Sequence, residues 1–328
     1  MDADHAIVFM FSGQGSQAYH MGRDLFDGNA TFRAEMQRLD RVAQGLIGRS
    51  VIERAYHPSR RPIDRFVDLA DTSLAIYIVE IALAQTLKAH GIVPDITFGV
   101  SLGFFAAATV AGALAPEDAL QILTNQAAAI ESRCARGGML AVLGPMTLHR
   151  ELGLSTCCDV AAVNAPSHFV LAADEAGLAT AEAQLTRHAI AHQRLAVEYA
   201  FHSRWMEAAR AALATLLTRV QGRRARMPLV CSARAAAVPT LKTDDAWTVA
   251  RSPIKMAETV AFLEQEGPYL YVDAGPSGTL AAILRSALPP SSSSRVAAIL
   301  TPFKRDLHNL GALTAMCAGG GRLSAAAS

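Results

Sequence analysis

The stretch Ile96-Thr-Phe-Gly-Val-Ser-Leu-Gly-Phe-Phe-Ala-Ala-Ala-Thr-Val-Ala-Gly112 constrains the fold more than any other part of the chain. It begins as a short apolar run after the breaker pair Pro94-Asp95 and continues as an Ala-rich run, so a strand followed by a buried helix is predicted. Between the two lies Gly99-Val100-Ser101-Leu102-Gly103, a match to the G-x-S-x-G nucleophile elbow. A sharp strand-to-helix turn pushes such a serine into a strained backbone conformation, and glycines on either side remove side chains that would collide there. The serine oxygen then stands at a helix N-terminus, where backbone N–H groups can stabilise an oxyanion. Three fixed positions also recur by chance. The strand before and the helix after separate this match from a surface turn, and Ser101 is the expected nucleophile.

Composition narrows the classes that remain. At 328 residues the chain suits a large domain carrying a smaller one. Thirty basic residues against 29 acidic ones, with no basic block, leave no surface for nucleic acid. No apolar run reaches membrane-spanning length, because the longest, Ser73 to Leu87, is interrupted by Glu80 and Gln85. The N-terminus is acidic, unlike a signal peptide. Five cysteines show no metal-ligand spacing, and Cys157 and Cys158 are adjacent. Reduced thiols, no metal and a cytoplasmic location are therefore expected.

Along the chain, Ala6 to Phe11 is a predicted strand, and Ser12-Gly-Gln-Gly-Ser-Gln17 is a Gly-rich turn. It lacks the lysine and the spacing of a phosphate loop. It is either a cradle of backbone N–H groups for an anion or a plain tight turn. After Gly137-Gly138, the segment from Met139 to Val197 is predicted as strand, helix, strand, strand, helix, strand, the last strand being Arg194 to Val197. That order is ferredoxin-like. The predicted organisation is a large α/β subdomain with a parallel sheet over 1–136 and 199–318, a small inserted subdomain over 137–198, and a disordered tail at 319–328. A single helix from Ser203 to Arg219 is expected after the insertion. Of the ten histidines, His202 in Tyr199-Ala-Phe-His-Ser203 is the front-runner as base, and His168 is the next to test.

The chain resembles the acyltransferase family of fatty-acid and polyketide synthesis, of the malonyl-CoA:acyl carrier protein transacylase type. The matching segments are Phe11-Ser-Gly-Gln-Gly-Ser-Gln17, Gly99-Val-Ser-Leu-Gly103, Gly138-Met-Leu-Ala-Val142, Asn164-Ala-Pro166, Ala200-Phe-His-Ser203 and Asp273-Ala-Gly-Pro276, in the family's order over roughly residues 6 to 310. The resemblance implies an α/β-hydrolase-like large subdomain with a ferredoxin-like insertion. It also implies ping-pong chemistry. Ser101, deprotonated by His202, attacks an acyl thioester while the N–H groups of Gln14 and Leu102 hold the oxyanion, and the acyl-serine passes to a phosphopantetheine thiol. A thiol leaves readily, so a Ser–His pair can suffice without an acidic third member. In the family a main-chain carbonyl orients the histidine, four residues before a proline, and that register falls on Val249, ahead of Pro253. No bound cofactor is implied. Acyl carrier protein and acyl-coenzyme A are the implied partners, and a monomer is expected.

Departures from the family pattern carry further information. Val100 replaces the usual histidine before the nucleophile, and Phe104-Phe105 stand where Glu and an aromatic are common, which makes the elbow surroundings more apolar. Dicarboxylate-specific members carry an arginine on a following helix to grip the free carboxylate. In this chain that register, 25 residues beyond Ser101, holds Gln126. A neutral amide cannot compensate a buried carboxylate, so Gln126 implies an uncharged acyl group, unless Arg133 or Arg136 takes the role. Gln for Arg is also a feature of the acyl hydrolases of trans-acyltransferase polyketide systems. Phe201, by contrast, resembles malonyl-type enzymes, and Asn164 belongs to the acyl-binding set.

The favoured expectation is an enzyme acting on uncharged acyl thioesters of acyl carrier protein, with hydrolysis slightly ahead of transfer. A malonyl transferase is the alternative. An inactive carrier-docking scaffold is disfavoured by the presence of Ser101, His202 and the Gln14 loop. A general lipase is disfavoured because its fold carries the catalytic His near the C-terminus with an acidic third member, whereas His202 follows the inserted unit.

Overall fold

The computed structural model describes residues 5–220 and 222–319. Its strands are β1 (Ala6–Phe11), β2 (Ile96–Gly99), β3 (Gly137–Leu143), β4 (Asp159–Ala165), β5 (His168–Asp174), β6 (His192–Arg194), β7 (Leu229–Cys231), β8 (Ala236–Ala237), β9 (Tyr269–Asp273) and β10 (Arg295–Ala298). They form two sheets. One has the order β10-β9-β1-β2-β7-β8, parallel except for the β7–β8 pair, and the other is antiparallel with the order β4-β5-β3-β6.

The register of the parallel sheet builds the site. Phe11 on β1 lies opposite Gly99 on β2, Gly99 lies opposite Cys231 on β7, and Met10 lies opposite Asp273 on β9. The four strands therefore end level, and the loops that follow them emerge side by side, where open α/β sheets place their ligands. A hydrogen bond from the Val100 N–H to the Phe11 carbonyl, 2.9 Å, continues the pairing past the strand ends.

One helix, Leu69–Ala89, is apolar on nearly every side and packs inside the core of the large subdomain, as all-round apolarity requires. Its 21 residues exceed the apolar run seen in the sequence. By length and composition it could cross a membrane, but it is nearly all buried in this protein. Glu80, which interrupts the run in sequence, is fully buried without ending the helix. The N-terminus is fixed by Asp68, whose side chain accepts the Asp71 N–H. Asp71, itself fully buried, takes Arg49 Nε at 2.7 Å and Arg54 Nε at 2.9 Å.

The antiparallel sheet has the strand order of a ferredoxin-like unit, with Glu175–Arg187 as its main helix and a single turn, Leu148–Glu151, in place of the other. Its last strand is His192–Arg194, ahead of the Arg194–Val197 expected from sequence. The sheet touches the large unit through β4: Ile254 donates to the Ala161 carbonyl at 2.8 Å, and Val163 donates to the Ile254 carbonyl at 2.9 Å. The expected helix from Ser203 to Arg219 is instead three short pieces, Arg204–Ala209, Arg210–Ala214 and Leu216–Arg219, the first and last of them 3₁₀. Of the tail at 319–328, Gly319 ends the Asp306–Gly319 helix and the rest lies outside the described residues.

Candidate active site

Ser101 sits in the turn between β2 and the Gly103–Val110 helix with φ of 54°, a conformation that non-glycine residues adopt only where surrounding structure enforces it. The enforcement is visible in its neighbours. A Cβ on Gly99 would meet the backbone of Phe104 at 2.3 Å, and one on Gly103 would meet the Phe11 carbonyl at 2.2 Å. The two elbow glycines are thus needed for close approach rather than for unusual dihedrals. Gly13 is similarly placed, since a Cβ there would lie 2.7 Å from Ser101 Cβ. The Gly-rich loop therefore lies directly against the serine.

His202 comes from the loop before the Arg204–Ala209 turn, and it too is left-handed, with φ of 59°. Its N–H donates to the Ala250 carbonyl at 3.0 Å, which pins the backbone. Nε2 lies 2.8 Å from Ser101 Oγ, and Nδ1 lies 2.8 Å from the Ser252 carbonyl. A carbonyl can only accept, so Nδ1 carries the hydrogen and Nε2 is free to accept from the serine hydroxyl. Burial pushes the imidazole down to about 4, against the opposing pull of the Ser252 carbonyl, so the ring is neutral at neutral pH. A serine O–H aimed at a neutral, oriented imidazole is an arrangement competent for base-assisted nucleophilic attack.

The orienting carbonyl corrects the sequence expectation. It belongs to Ser252, not to Val249. Ser252 closes the Asp245–Arg251 helix in an extended conformation, φ −76° and ψ 146°, as the residue before Pro253 must. Its carbonyl has left the helical ladder and reaches the imidazole. Val249, buried on that helix, lines a small cavity beside Ser101 instead.

Two cavities meet at the serine. The larger, about 720 Å³, is an open cleft whose lining includes His202, Asn164, His168 and Phe201 together with apolar residues from both sheets. The smaller, about 20 Å³, is lined by Gln14, Ser73, Leu102, Gln126, Phe201 and Val249 among others. Its volume is that of roughly one water. Gln126 is where the sequence placed it, and its buried Nε2 has no hydrogen-bond partner among the described residues. Arg133 and Arg136 line neither cavity. Arg133 is exposed, while Arg136 pairs with Glu198 and stacks on Tyr199. Phe104 and Phe105 also stay away from the site: both are fully buried in the core behind the elbow.

Gln14 and Leu102 flank Ser101 from the two loops. Among the described residues neither backbone N–H has a protein acceptor, which leaves both donors open to a ligand. The Gln14 side chain is tied down, Nε2 donating to Ser73 Oγ at 2.8 Å. Gln17 ties the far end of the same loop, its Nε2 donating to the Phe66 and Ala196 carbonyls, each at 2.9 Å. Asp273, in the Asp273-Ala-Gly-Pro276 segment, accepts the Gly275 and Ala281 N–H groups at 2.8 Å each, and burial pushes it up to about 6. It thereby holds the turn into the Thr279–Ala287 helix, whose Thr279, Leu280 and Ile283 line the large cleft. Ser252, Ser73 and Glu80 escaped the sequence reading. The step to a proline was the only signal for the first, Ser73 is an ordinary position on an apolar helix, and Glu80 shows in sequence only as a charge that interrupts the apolar run.

A family profile described as an acyl transferase domain matches residues 8–320. The chain belongs to the acyl transferase domain family. Two of its relatives are the polyketide biosynthesis acyltransferase homologs BaeD of Bacillus velezensis, 40% identical over 305 residues, and PksD of Bacillus subtilis, 37% identical over 305 residues. Each alignment covers 93% of this chain and 94% of the relative. Among solved structures, the acyltransferase domain from the second module of the salinomycin polyketide synthase superposes with a TM-score of 0.83 at 26% identity, over 94% of this chain and 72% of that one. The loading acyltransferase of the avermectin polyketide synthase shares the fold, with a TM-score of 0.87 at 24% identity over 96% and 100% of the two chains. Both superpositions span nearly the whole of this chain, its parallel and its antiparallel sheet included.

Proposed function

We propose that this chain is an acyltransferase-family enzyme of polyketide biosynthesis. It takes uncharged acyl groups from acyl carrier protein thioesters through an acyl-serine at Ser101, and hydrolytic release is favoured over transfer. The observation that carries the choice of acyl group is Gln126, neutral and with an unpaired Nε2, in a cavity that no cation lines among the described residues. A malonyl carboxylate placed there would lose its hydration without gaining a counter-ion, at a cost of several kcal/mol. A methyl or other short apolar end loses nothing comparable.

In this reading His202 Nε2 takes the Ser101 proton as Oγ attacks the thioester carbon, and the N–H groups of Gln14 and Leu102 receive the developing oxyanion. The thiol departs through the large cleft, taking the proton from His202. Water entering the same cleft is then activated by His202 and releases the acid. The cleft is compatible with hydrolysis, since it gives water an open path to Ser101 and His202, and the preference over transfer rests on Gln126 standing where acyl hydrolases of this family carry Gln. The relatives BaeD and PksD, named for polyketide biosynthesis, support the pathway assignment.

Competitive loading tests the reading. The protein is mixed with equal acetyl and malonyl carrier-protein thioesters, and the intact mass is read at short times. Acetyl is expected as the dominant adduct, followed by free acetate without a second thiol. Malonyl as the dominant adduct would overturn the neutral-acyl reading, and durable adducts that clear only on adding a carrier thiol would replace hydrolysis with transfer.

A further inference from the structure

Glu80 is the one acid buried at full depth in the Leu69–Ala89 helix whose carboxylate reaches the Gly-rich loop. Its Oε1 accepts the Ser12 backbone N–H at 2.6 Å and lies 3.1 Å from Ser12 Oγ. The next residue, Gly13, is pressed against Ser101, and the one after it is Gln14. Seven residues earlier, about two helical turns and so on the same face, Ser73 holds the Gln14 side chain. A single helix face thus grips the loop at two consecutive points on either side of Gly13.

We propose that Glu80 is the positioning residue of the oxyanion loop, holding Ser12 so that the Gln14 N–H stays aimed at the oxygen of the acyl group on Ser101. The proposal rests on the reading of Gln14 as an oxyanion donor. The loop needs such an anchor. Its own bonds, Ser16 N–H and Oγ to the Gly13 carbonyl at 3.3 and 2.7 Å, Gly15 N–H to Gln17 Oε1 at 2.7 Å and Ser12 Oγ to Ser16 Oγ at 3.0 Å, only close the loop on itself, and Gly15 is left-handed with φ of 99°. A donor on an unanchored glycine loop would have to be ordered during the reaction, whereas preorganised donors require no such step.

The surroundings of Glu80 favour its neutral form. Burial raises its carboxyl well above the usual range, and Asp273, the other charged group facing it, pushes the same way against the two bonds from Ser12. Oε2 is buried without a partner, and an unpaired O–H costs far less there than half of an unpaired anion. A neutral acid also keeps negative charge away from the loop that must receive an oxyanion.

The test compares Glu80→Leu, Glu80→Gln and Ser12→Ala by the rate constant for acylation of Ser101, using acetyl-CoA and malonyl-CoA separately and titrating each donor. Glu80→Leu removes the acceptor and is expected to lower the acylation rate constant about 100-fold, as loss of an oxyanion donor does, with the half-saturating donor concentration little changed. Glu80→Gln keeps a carbonyl at the same place and is expected to restore most of the rate. Ser12→Ala, which leaves the helix untouched, should lose about fivefold through one hydrogen bond and decides the matter if Glu80→Leu does not fold. Wild-type rates in Glu80→Leu or Ser12→Ala would overturn the proposal, as would a Glu80→Gln variant as slow as Glu80→Leu. The fall must be equal for both donors. A change in their ratio would implicate the acyl cavity instead, and the wild-type preference between them bears only on the acyl-group reading.

Discussion

The two cavities at Ser101 differ more than thirtyfold in volume, about 720 Å³ against about 20 Å³, and they differ in what they can hold. The large cleft lies between the two sheets, is lined mainly by apolar side chains, and carries one guanidinium, Arg285, which already donates to the Val296 carbonyl at 3.0 Å. The small cavity is lined by Gln14, Ser73 and Gln126, and among the described residues the one buried side-chain polar atom without a partner there is Gln126 Nε2. The difference teaches which side sets selectivity. A cleft that size accepts any flexible thiol arm and water alike, so it discriminates weakly. A cavity the size of one water discriminates by each added carbon and by charge.

The strongest test of that division acts where both cavities meet. Ser101→Ala should lower acyl-enzyme formation at least about 10³-fold, read as loss of the intact-mass adduct, while the fold stays unchanged by circular dichroism. His202→Ala should slow acylation about 10²- to 10⁴-fold. The ionisation of His202 gives a second readout of the same site. Acid protonates Nε2 and removes the acceptor, so wild-type acylation should stay level from neutral pH downward and fall by half near pH 4 rather than near 6.5. Because the unfolded chain takes up this proton at the higher pH, the stability present above 6.5 is lost as pH falls towards 4, about 3 kcal/mol in all. A rate that halves near 6.5 would place the working base in a more solvated position than His202 occupies.

Gln126→Arg addresses the small cavity alone. The guanidinium offers two charge-assisted bonds to a carboxylate, and the malonyl-to-acetyl loading ratio should rise about tenfold. The gain is limited because nothing around position 126 was shaped to fix a guanidinium. An unchanged ratio would mean that the acyl group does not enter this cavity. Val249→Ala has the smallest expected effect. It enlarges the same space by two methyl groups, should raise butyryl over acetyl loading about fivefold, and should cost about 2 kcal/mol in stability, measured by urea titration. Equal loading before and after would move the acyl chain into the large cleft.

Much of this site could be read without coordinates, because its determinants are local. The G-x-S-x-G turn is set by backbone sterics within five residues, so the strained Ser101 and its two close-packed glycines follow from the sequence itself. The helix carrying Gln126 has an unbroken pattern, so counting along it reached a residue that lines the small cavity. The order of strands and helices in the inserted unit was likewise legible, although its last strand was set two residues late.

Tertiary structure decided what depends on distant segments meeting. His202 lies 101 residues from Ser101 in sequence; its motif put it ahead of His168, but only the fold brings Oγ and Nε2 to 2.8 Å. The orienting carbonyl turned out to be Ser252 rather than Val249, since a three-residue difference on a helix end changes direction as well as distance. Glu80 is the clearest case. In sequence it is a charge that interrupts an apolar run, and the pattern of hydrophobicity marks it as a defect in a buried helix. Only when the loop after β1 is brought against that helix does its carboxylate meet the Ser12 N–H, 68 residues away. Periodicity records which face of an element is buried, but the partner that makes a buried polar group affordable is chosen by packing, and packing is not written in any one segment.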